Sequence, residues 1–241
     1  MTVVPYKDKS LNKKKQIALM FDNISGKYDL LNHLLSFGID RSWRRKAIEL
    51  LRPSNPKSIL DIATGTGDFA IQALSLNPDT IIGIDISEGM IEQGRNKIQK
   101  RNLFGKIELK QGDSENLAFQ DNKFDAVIVA FGVRNFEKLE KGLSEMLRVL
   151  RKNGEVIILE FSKPAKFPFK QIYNLYFKYI LPLVGRMISR DHSAYSYLPE
   201  SVQSFPEGED FLEILSDIGF KDTQCIPLSF GISSIYVGTK E

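Results

Sequence analysis

Residues 57–70, from Lys57 through Ile59, Leu60, Asp61, Thr64, Gly65, Thr66 and Gly67 to Ala70, constrain the fold more than any other stretch. The apolar run at 59–62 has the length of a buried strand, and it stops at Thr64-Gly65-Thr66-Gly67 before a helix-compatible segment at 68–76. Strand, glycine-rich turn and helix in that order predict an α/β unit. Glycine lets the backbone turn tightly and bring bare N–H groups close to a ligand, while the helix N-terminus adds a partial positive charge suited to a carboxylate or phosphate. A nucleotide-like cofactor is therefore expected at this turn. The dinucleotide fingerprint G-x-G-x-x-G has a third glycine where this chain has Ala70, so the loop alone leaves a nicotinamide-dependent oxidoreductase among the readings.

Two carboxylates further on narrow the choice. Residues 80–86 form a second strand pattern containing Asp85, about twenty residues after the glycines, where an acid accepts both hydroxyls of a ribose. Residues 106–111 form a third, running into Gly112-Asp113-Ser114. Acids at the C-terminal ends of successive parallel strands point into one crevice. Each alone reads equally well as a helix cap or a solvated loop; the glycine loop and both acids in order do not.

Glycine loop, ribose acid and a third strand ending in Gly-Asp together resemble the class I methyltransferases that use S-adenosylmethionine. The resemblance implies a Rossmann-like α/β fold: a mostly parallel seven-stranded sheet with an antiparallel last strand and helices on both faces. It implies S-adenosylmethionine as cofactor, with Asp61, Thr64, Gly65, Thr66, Gly67, Asp85, Ile86, Asp113, Ser114 and Ala130 around it. In that family Asp85 would hold the ribose, and Asp113 and Ser114 would frame the adenine.

The 241 residues suffice for one α/β domain, with no Pro/Gly/Ser-rich linker dividing them. A net charge of +3 is too mild to argue for nucleic acid, though its sign suits an anionic membrane surface. One cysteine, Cys225, and two histidines, His33 and His192, argue against a disulfide and a metal site and favour a reducing cytoplasm. No apolar run and cleavage site follow the early lysines, so no signal peptide is expected. Residues 1–15 read as a loose basic tail, and 16–241 as a single domain with an N-terminal helical lid at 16–52 and an aromatic insertion at 164–205.

Three further motifs sharpen the resemblance. Tyr28-Asp29, Asn32, Leu35-Ser36 and Trp43 are similar to the N-terminal signature of the ubiquinone and menaquinone biosynthesis C-methyltransferases, with Leu31 for a methionine and Asp40 for a histidine as departures. Phe124 to Ala130 reads as a strand covered on both faces. It leads into Phe131-Gly132-Val133-Arg134-Asn135-Phe136, which resembles the same family and lacks the proline motif of N-methyltransferases. Arg148-Val149-Leu150, Gly154 and Glu160-Phe161-Ser162 match its second signature, with Arg151-Lys152-Asn153 expected in a turn before a fifth strand at 155–161. Tyr195-x-Tyr197-Leu198 follows the family pattern as well.

The aromatic and leucine stripe at 167–183, with Phe167, Phe169, Ile172, Tyr173 and Tyr176, carries too many charges for a membrane span and reads first as core packing. A greasy wall for a prenyl tail and an interfacial segment are the alternatives. The expected activity is C-methylation of a polyprenyl hydroquinone, demethylmenaquinol foremost, with the benzoquinol or another small phenol as alternatives. A phenol titrates near 10, and an arginine beside it favours the anion that makes the ring nucleophilic. Arg134 is therefore expected to stabilise the phenolate and Asn135 to orient it, with Tyr28, His192, Tyr195 and Tyr197 as further acceptor contacts. The general base and the oligomeric state stay open. The expected setting is cytoplasmic, with contact at the inner face of the membrane. A cofactor-binding protein without turnover is the remaining rival.

Overall fold

The computed structural model describes residues 3–6, 8, 10–30, 36, 38–176, 179 and 192–241, the side chains of 192–195 excepted. Seven strands form one sheet in the order β3-β2-β1-β4-β5-β7-β6. They are β1 (Ser58–Ile62), β2 (Thr80–Asp85), β3 (Ile107–Gln111), β4 (Phe124–Ala130), β5 (Leu150–Phe161), β6 (Lys221–Leu228) and β7 (Ser233–Thr239). β1 pairs in parallel with β2 and β4, whereas β7 runs antiparallel to both β5 and β6. The order reverses direction on either side of β1, and a ligand crevice opens beyond the carboxyl ends of the strands at that switch point.

Side-chain alternation divides the core between the two faces. Ile59, Ile81, Ala126, Ile128 and Ile157 point to one side, against α2 (Ile39–Leu50) and α3 (Asp68–Ala73) through Trp43, Ala47, Ile48, Phe69 and Ala70. Leu60, Ile82, Val127, Val129, Val156 and Ile158 point to the other, against α5 (Leu139–Val149) and α8 (Glu209–Ile218). Central parallel strands buried on both faces become near-continuous apolar runs, and Ile59, Leu60, Val127 and Ile128 are each 0% exposed. Full burial of such a side chain contributes about 1.5–3 kcal/mol, so this double layer supplies most of the driving force.

Several boundaries differ from the sequence reading. Residues 13–15 are not tail: α1 spans Lys13–Ile24, its N-terminus capped by the Asn12 side chain, which accepts from the Lys15 amide at 3.0 Å. The lysine run opens the helix because its first two amino groups find acceptors across the crevice, as described below. The glycine-loop helix ends at Ala73 and tightens into a 3₁₀ turn at Leu74–Leu76, closed by Asn77 at φ 53°. The turn expected at 151–153 is absorbed into β5, with a register shift opposite β4 and Asn153 at φ 61°. Its backbone is satisfied by the chain's end: Asn153 N donates to Lys240 O at 2.6 Å and Lys240 N to Gly154 O at 2.9 Å.

After β5, α6 (Phe169–Leu175) and α7 (His192–Ser204) fill the insertion. The stripe expected to pack as core splits here. Tyr173 is buried, while Phe167, Ile172 and Leu175 are exposed. Residues 177, 178 and 180–191, which include the end of that stripe, and the 31–35 portion of the N-terminal signature with Leu31, Asn32, His33 and Leu35 lie outside the described residues.

Candidate active site

The switch point positions the site. β1 ends in Asp61-Ile62, paired with Gly83-Ile84 of β2, and the glycine loop follows. Gly65 sits at φ 57° and Gly67 at φ 82°, left-handed conformations that cost a side-chain-bearing residue roughly 1–2 kcal/mol. The turn brings the Gly65 amide onto Asp85 Oδ2 at 2.8 Å, and Ser87 N donates to Asp85 Oδ1 at 2.9 Å. One carboxylate thus ties the glycine loop to the start of α4 (Glu88–Lys100) and still faces the cleft. Burial raises the Asp85 carboxyl to about 6, against these amides, which favour its ionised form.

Asp61 lies behind the loop, fully buried. It accepts from Thr64 Oγ1 at 2.5 Å, and its Oδ1 has no hydrogen-bond partner. Burial lifts its carboxyl to about 7, opposed first by the Thr64 hydroxyl. Thr66 Oγ1 donates to Asp29 at 2.5 Å. Lys97 Nζ reaches Asp29 at 2.6 Å and Asp68 at 2.7 Å. Of the expected cofactor contacts, Gly65, Asp85, Ile86, Asp113, Ser114 and Ala130 line one cleft of about 670 Å³, a volume that includes its open mouth. Asp61, Thr64, Thr66 and Gly67 do not line it; they brace the loop from behind.

α1 roofs this cleft. Lys14 Nζ pairs with Asp113 at 2.7 Å and Glu115 at 3.1 Å, beyond β3. Lys13 Nζ donates to Phe136 O at 2.8 Å, beyond β4. Asp22 accepts from Ser87 Oγ at 2.6 Å and Gly89 N at 2.9 Å, at the start of α4. Lys14, Ile17, Phe21 and Tyr28 form the resulting wall. Sequence reasoning gave no role to Lys13, Lys14, Asp22 or Lys97; the signal it held was a run of charges, which reads as a solvated face.

The far wall comes from β4. Ala63 at φ 52° and Phe131 at φ 59° are both non-glycine residues in the left-handed region, one at the end of β1 and one at the end of β4. Such strain concentrates where a loop is shaped for a ligand. Gly132 permits the close approach: a Cβ there would stand 2.6 Å from the Ala63 Cβ. Asn135 lines the cleft and accepts from the Tyr197 hydroxyl at 3.1 Å. Arg134 does not stand free. Its Nη1 donates to Glu160 Oε1 at 2.7 Å, and Glu160 is 0% exposed. Its Cζ lies 5.4 Å from the Phe161 ring centre, and its Nε is buried with no hydrogen-bond partner. Burial raises the Glu160 carboxyl, with the Arg134 cation opposing.

Among the expected acceptor contacts, Tyr28 and Tyr197 are brought to the cleft wall and to Asn135. His192 and Tyr195 open α7, and their side chains lie outside the described residues. Asp40 is paired within α2 to Arg44 and accepts from Ser36 Oγ at 2.7 Å, a structural arrangement.

Residues 9–240 match the model of the ubiE/COQ5 methyltransferase family. The chain belongs to that family. This methyltransferase is 51% identical over 239 residues to the demethylmenaquinone methyltransferase of Bacteroides fragilis, covering 99% of this chain and 97% of the relative. It is 45% identical over 230 residues to the ubiquinone/menaquinone biosynthesis C-methyltransferase of Geobacter sulfurreducens, covering 95% and 90%. Among solved structures it is similar to a SAM-dependent methyltransferase of Thermotoga maritima, with a TM-score of 0.62, 20% identity and coverage of 92% and 98%. It is similar also to the [4+2]-cyclase SpnF, with a TM-score of 0.64, 15% identity and coverage of 95% and 96%. At those identities the likeness shows the fold alone, and a cyclase on the same fold shows that the chemistry must be argued from the site.

Proposed function

We propose that this methyltransferase transfers the methyl group of S-adenosylmethionine to a ring carbon of a polyprenyl hydroquinone, demethylmenaquinol. The observation that carries the reading is the 51% identity, over nearly the full length of both chains, to a demethylmenaquinone methyltransferase. The site fits the cofactor: a buried carboxylate at Asp85 beside a left-handed glycine turn, with Asp113-Ser114 next to it beyond the neighbouring strand, all lining one cleft. Asp85 would hold the ribose hydroxyls and Asp113 with Ser114 would frame the base. The cofactor supplies an electrophilic methyl; the chain's residues prepare the nucleophile.

The ring carbon is reactive when a hydroxyl para or ortho to it has lost its proton, and each turnover releases one proton net. Arg134 favours that phenolate from a position fixed by Glu160, and Asn135, held by Tyr197, orients it. A paired guanidinium is a fixed donor and pays little reorganisation when charge develops on the acceptor. Alignment of the two reactants in the cleft supplies much of the remaining acceleration. A prenylated acceptor resides in lipid, so the enzyme works at a membrane surface.

The test is transfer of labelled methyl to reduced demethylmenaquinol and, in parallel, to the matching benzoquinol. Label in the naphthoquinol product is expected; label in neither, with cofactor bound, overturns the acceptor assignment.

Cofactor affinity should also follow the ionisation of Asp85. Only the carboxylate accepts both ribose hydroxyls while retaining the Gly65 and Ser87 amides. With its carboxyl raised to about 6, affinity is lost as pH falls through that value. Titration calorimetry should show about tenfold weaker cofactor binding at pH 5 than at pH 7, and a flat profile would remove Asp85 from the ribose site.

A further inference from the structure

One surface of the molecule is exposed, apolar and basic, and the chemistry of the cleft does not use it. Phe167 is 79% exposed, Phe230 71%, Ile172 60% and Leu175 57%. Ile172 and Leu175 lie three residues apart on α6, one helical turn beyond Phe169, whose ring stacks on Phe230 at 3.8 Å between centres. Phe230 is carried out by a loop under backbone strain: Ser229 and Phe230 both have positive φ, 45° and 61°. The loop is anchored from within by Trp43 Nε1, which donates to Ser229 Oγ at 2.8 Å. A strained turn that holds a phenyl ring in water is unfavourable on both counts, and contiguous apolar patches of this kind mark contact surfaces.

Charge identifies the occupant. From residue 162 to 190 the chain carries Lys163, Lys166, Lys170, Lys178, Arg186 and Arg190 and no aspartate or glutamate. Lys166 and Lys170 flank the exposed aromatics and are themselves exposed, and neither forms an ion pair among the described residues. Lys163 is paired to Glu207 at 3.4 Å, which leaves Lys166 and Lys170 beside the apolar groups, and that combination matches the headgroup and acyl boundary of an anionic bilayer. The buried face of the same helix meets the site: Tyr173 is buried within electrostatic reach of Glu207, Arg134 and Glu160.

We propose that Phe167, Ile172, Leu175 and Phe230, with Lys166 and Lys170, form a docking surface for an anionic lipid bilayer, which sets the acceptor side of the cleft against the membrane. The surface rests on the reading of the acceptor as membrane-borne, and vesicle binding tests it without any acceptor present. In co-sedimentation the full chain should bind phosphatidylglycerol-containing vesicles and release them as salt rises. Vesicles of phosphatidylcholine alone should bind weakly.

Ile172→Glu/Leu175→Glu should weaken vesicle binding at least about tenfold, because it places charge in the acyl boundary. Lys166→Ala/Lys170→Ala should cost about fivefold per lysine on the anionic vesicles only. For Ile172→Glu/Leu175→Glu, transfer to a short-tailed soluble quinol should be unchanged while transfer to vesicle-embedded acceptor falls tenfold or more. Equal vesicle binding by wild type and both variants overturns the proposal. So does a concentration-dependent dimer in light scattering that Ile172→Glu/Leu175→Glu dissolves, since the occupant would then be a second copy. A wild type that binds the anionic vesicles yet methylates neither quinol supports the surface and sinks the acceptor assignment.

Discussion

Glu160→Ala lowers the free energy of unfolding by about 3–5 kcal/mol, and Arg134→Ala lowers it by a similar amount, because each leaves its partner buried and uncompensated. For a chain of this size the melting temperature falls by about 10 °C in either case. The damage is asymmetric in origin. Without Arg134 the carboxylate of Glu160, at 0% exposure, keeps only backbone donors: Phe161 N at 2.9 Å and Arg134 N at 3.4 Å. Without Glu160 the guanidinium keeps the Phe131 carbonyl. Arg134→Met/Glu160→Met removes both charges, and buried pairs replaced by apolar groups are often near neutral, so its melting temperature should rise above either single variant. Turnover separates structure from chemistry. The double variant should recover stability but remain at least about 100-fold down in kcat, the loss typical of removing one fixed donor. Its cofactor dissociation constant should stay within about threefold of wild type. Thermal melts and single-turnover assays on the three proteins decide; activity that returns with stability would make Arg134 a structural residue only.

The parts of the site that could be read directly from the chain are those in which a residue's role follows from its place at a strand end. Gly65, Asp85 and Asp113 fall at the ends of β1, β2 and near the end of β3, where apolar periodicity stops, and the strand-to-loop boundary alone aims them at one crevice. The sheet was legible for the same reason, since 59–62 and 124–130 are near-continuous apolar runs, each broken by a single aspartate, that suit central parallel strands. What was not legible depends on separation. Lys14 meets Asp113 across 99 residues and Asp22 meets Ser87 across 65, and nothing local distinguishes these side chains from solvated ones. The Arg134–Glu160 pair hid in plain view: both residues stand in recognised motifs, yet spacing says nothing of whether a guanidinium is free or paired. The 167–175 stripe misled in the opposite direction. Helical spacing of apolar residues predicts a face, but not whether that face meets the core or another phase, and here Ile172 is exposed while the adjacent Tyr173 is buried.

Asp85→Ala should weaken cofactor binding by at least about 100-fold and leave the Arg134 side of the site intact. The carboxylate does three things at once: it accepts from Gly65 N at 2.8 Å, accepts from Ser87 N at 2.9 Å, and faces the cleft. Two charge-assisted hydrogen bonds to ribose, each worth about 1.5–3 kcal/mol, already give a loss of that size. The two amides then lose their acceptor, and Gly65, held at φ 57°, loses the contact that fixes its loop. Asp85→Asn separates these contributions. Its amide oxygen retains one backbone donor, but its NH₂ group faces the other donor and cannot accept, so the loop stays partly ordered while affinity falls nearly as far. Equilibrium binding of labelled cofactor to both variants, with hydrogen exchange of the Gly65 and Ser87 amides, tests the division. If Asp85→Asn binds cofactor as wild type does, the carboxylate serves the loop alone and the ribose must be held elsewhere. If both lose affinity while Arg134→Met/Glu160→Met keeps it, binding and activation are carried by separate parts of the site. A family with this fold could then change its acceptor by altering the β4 side without disturbing its cofactor.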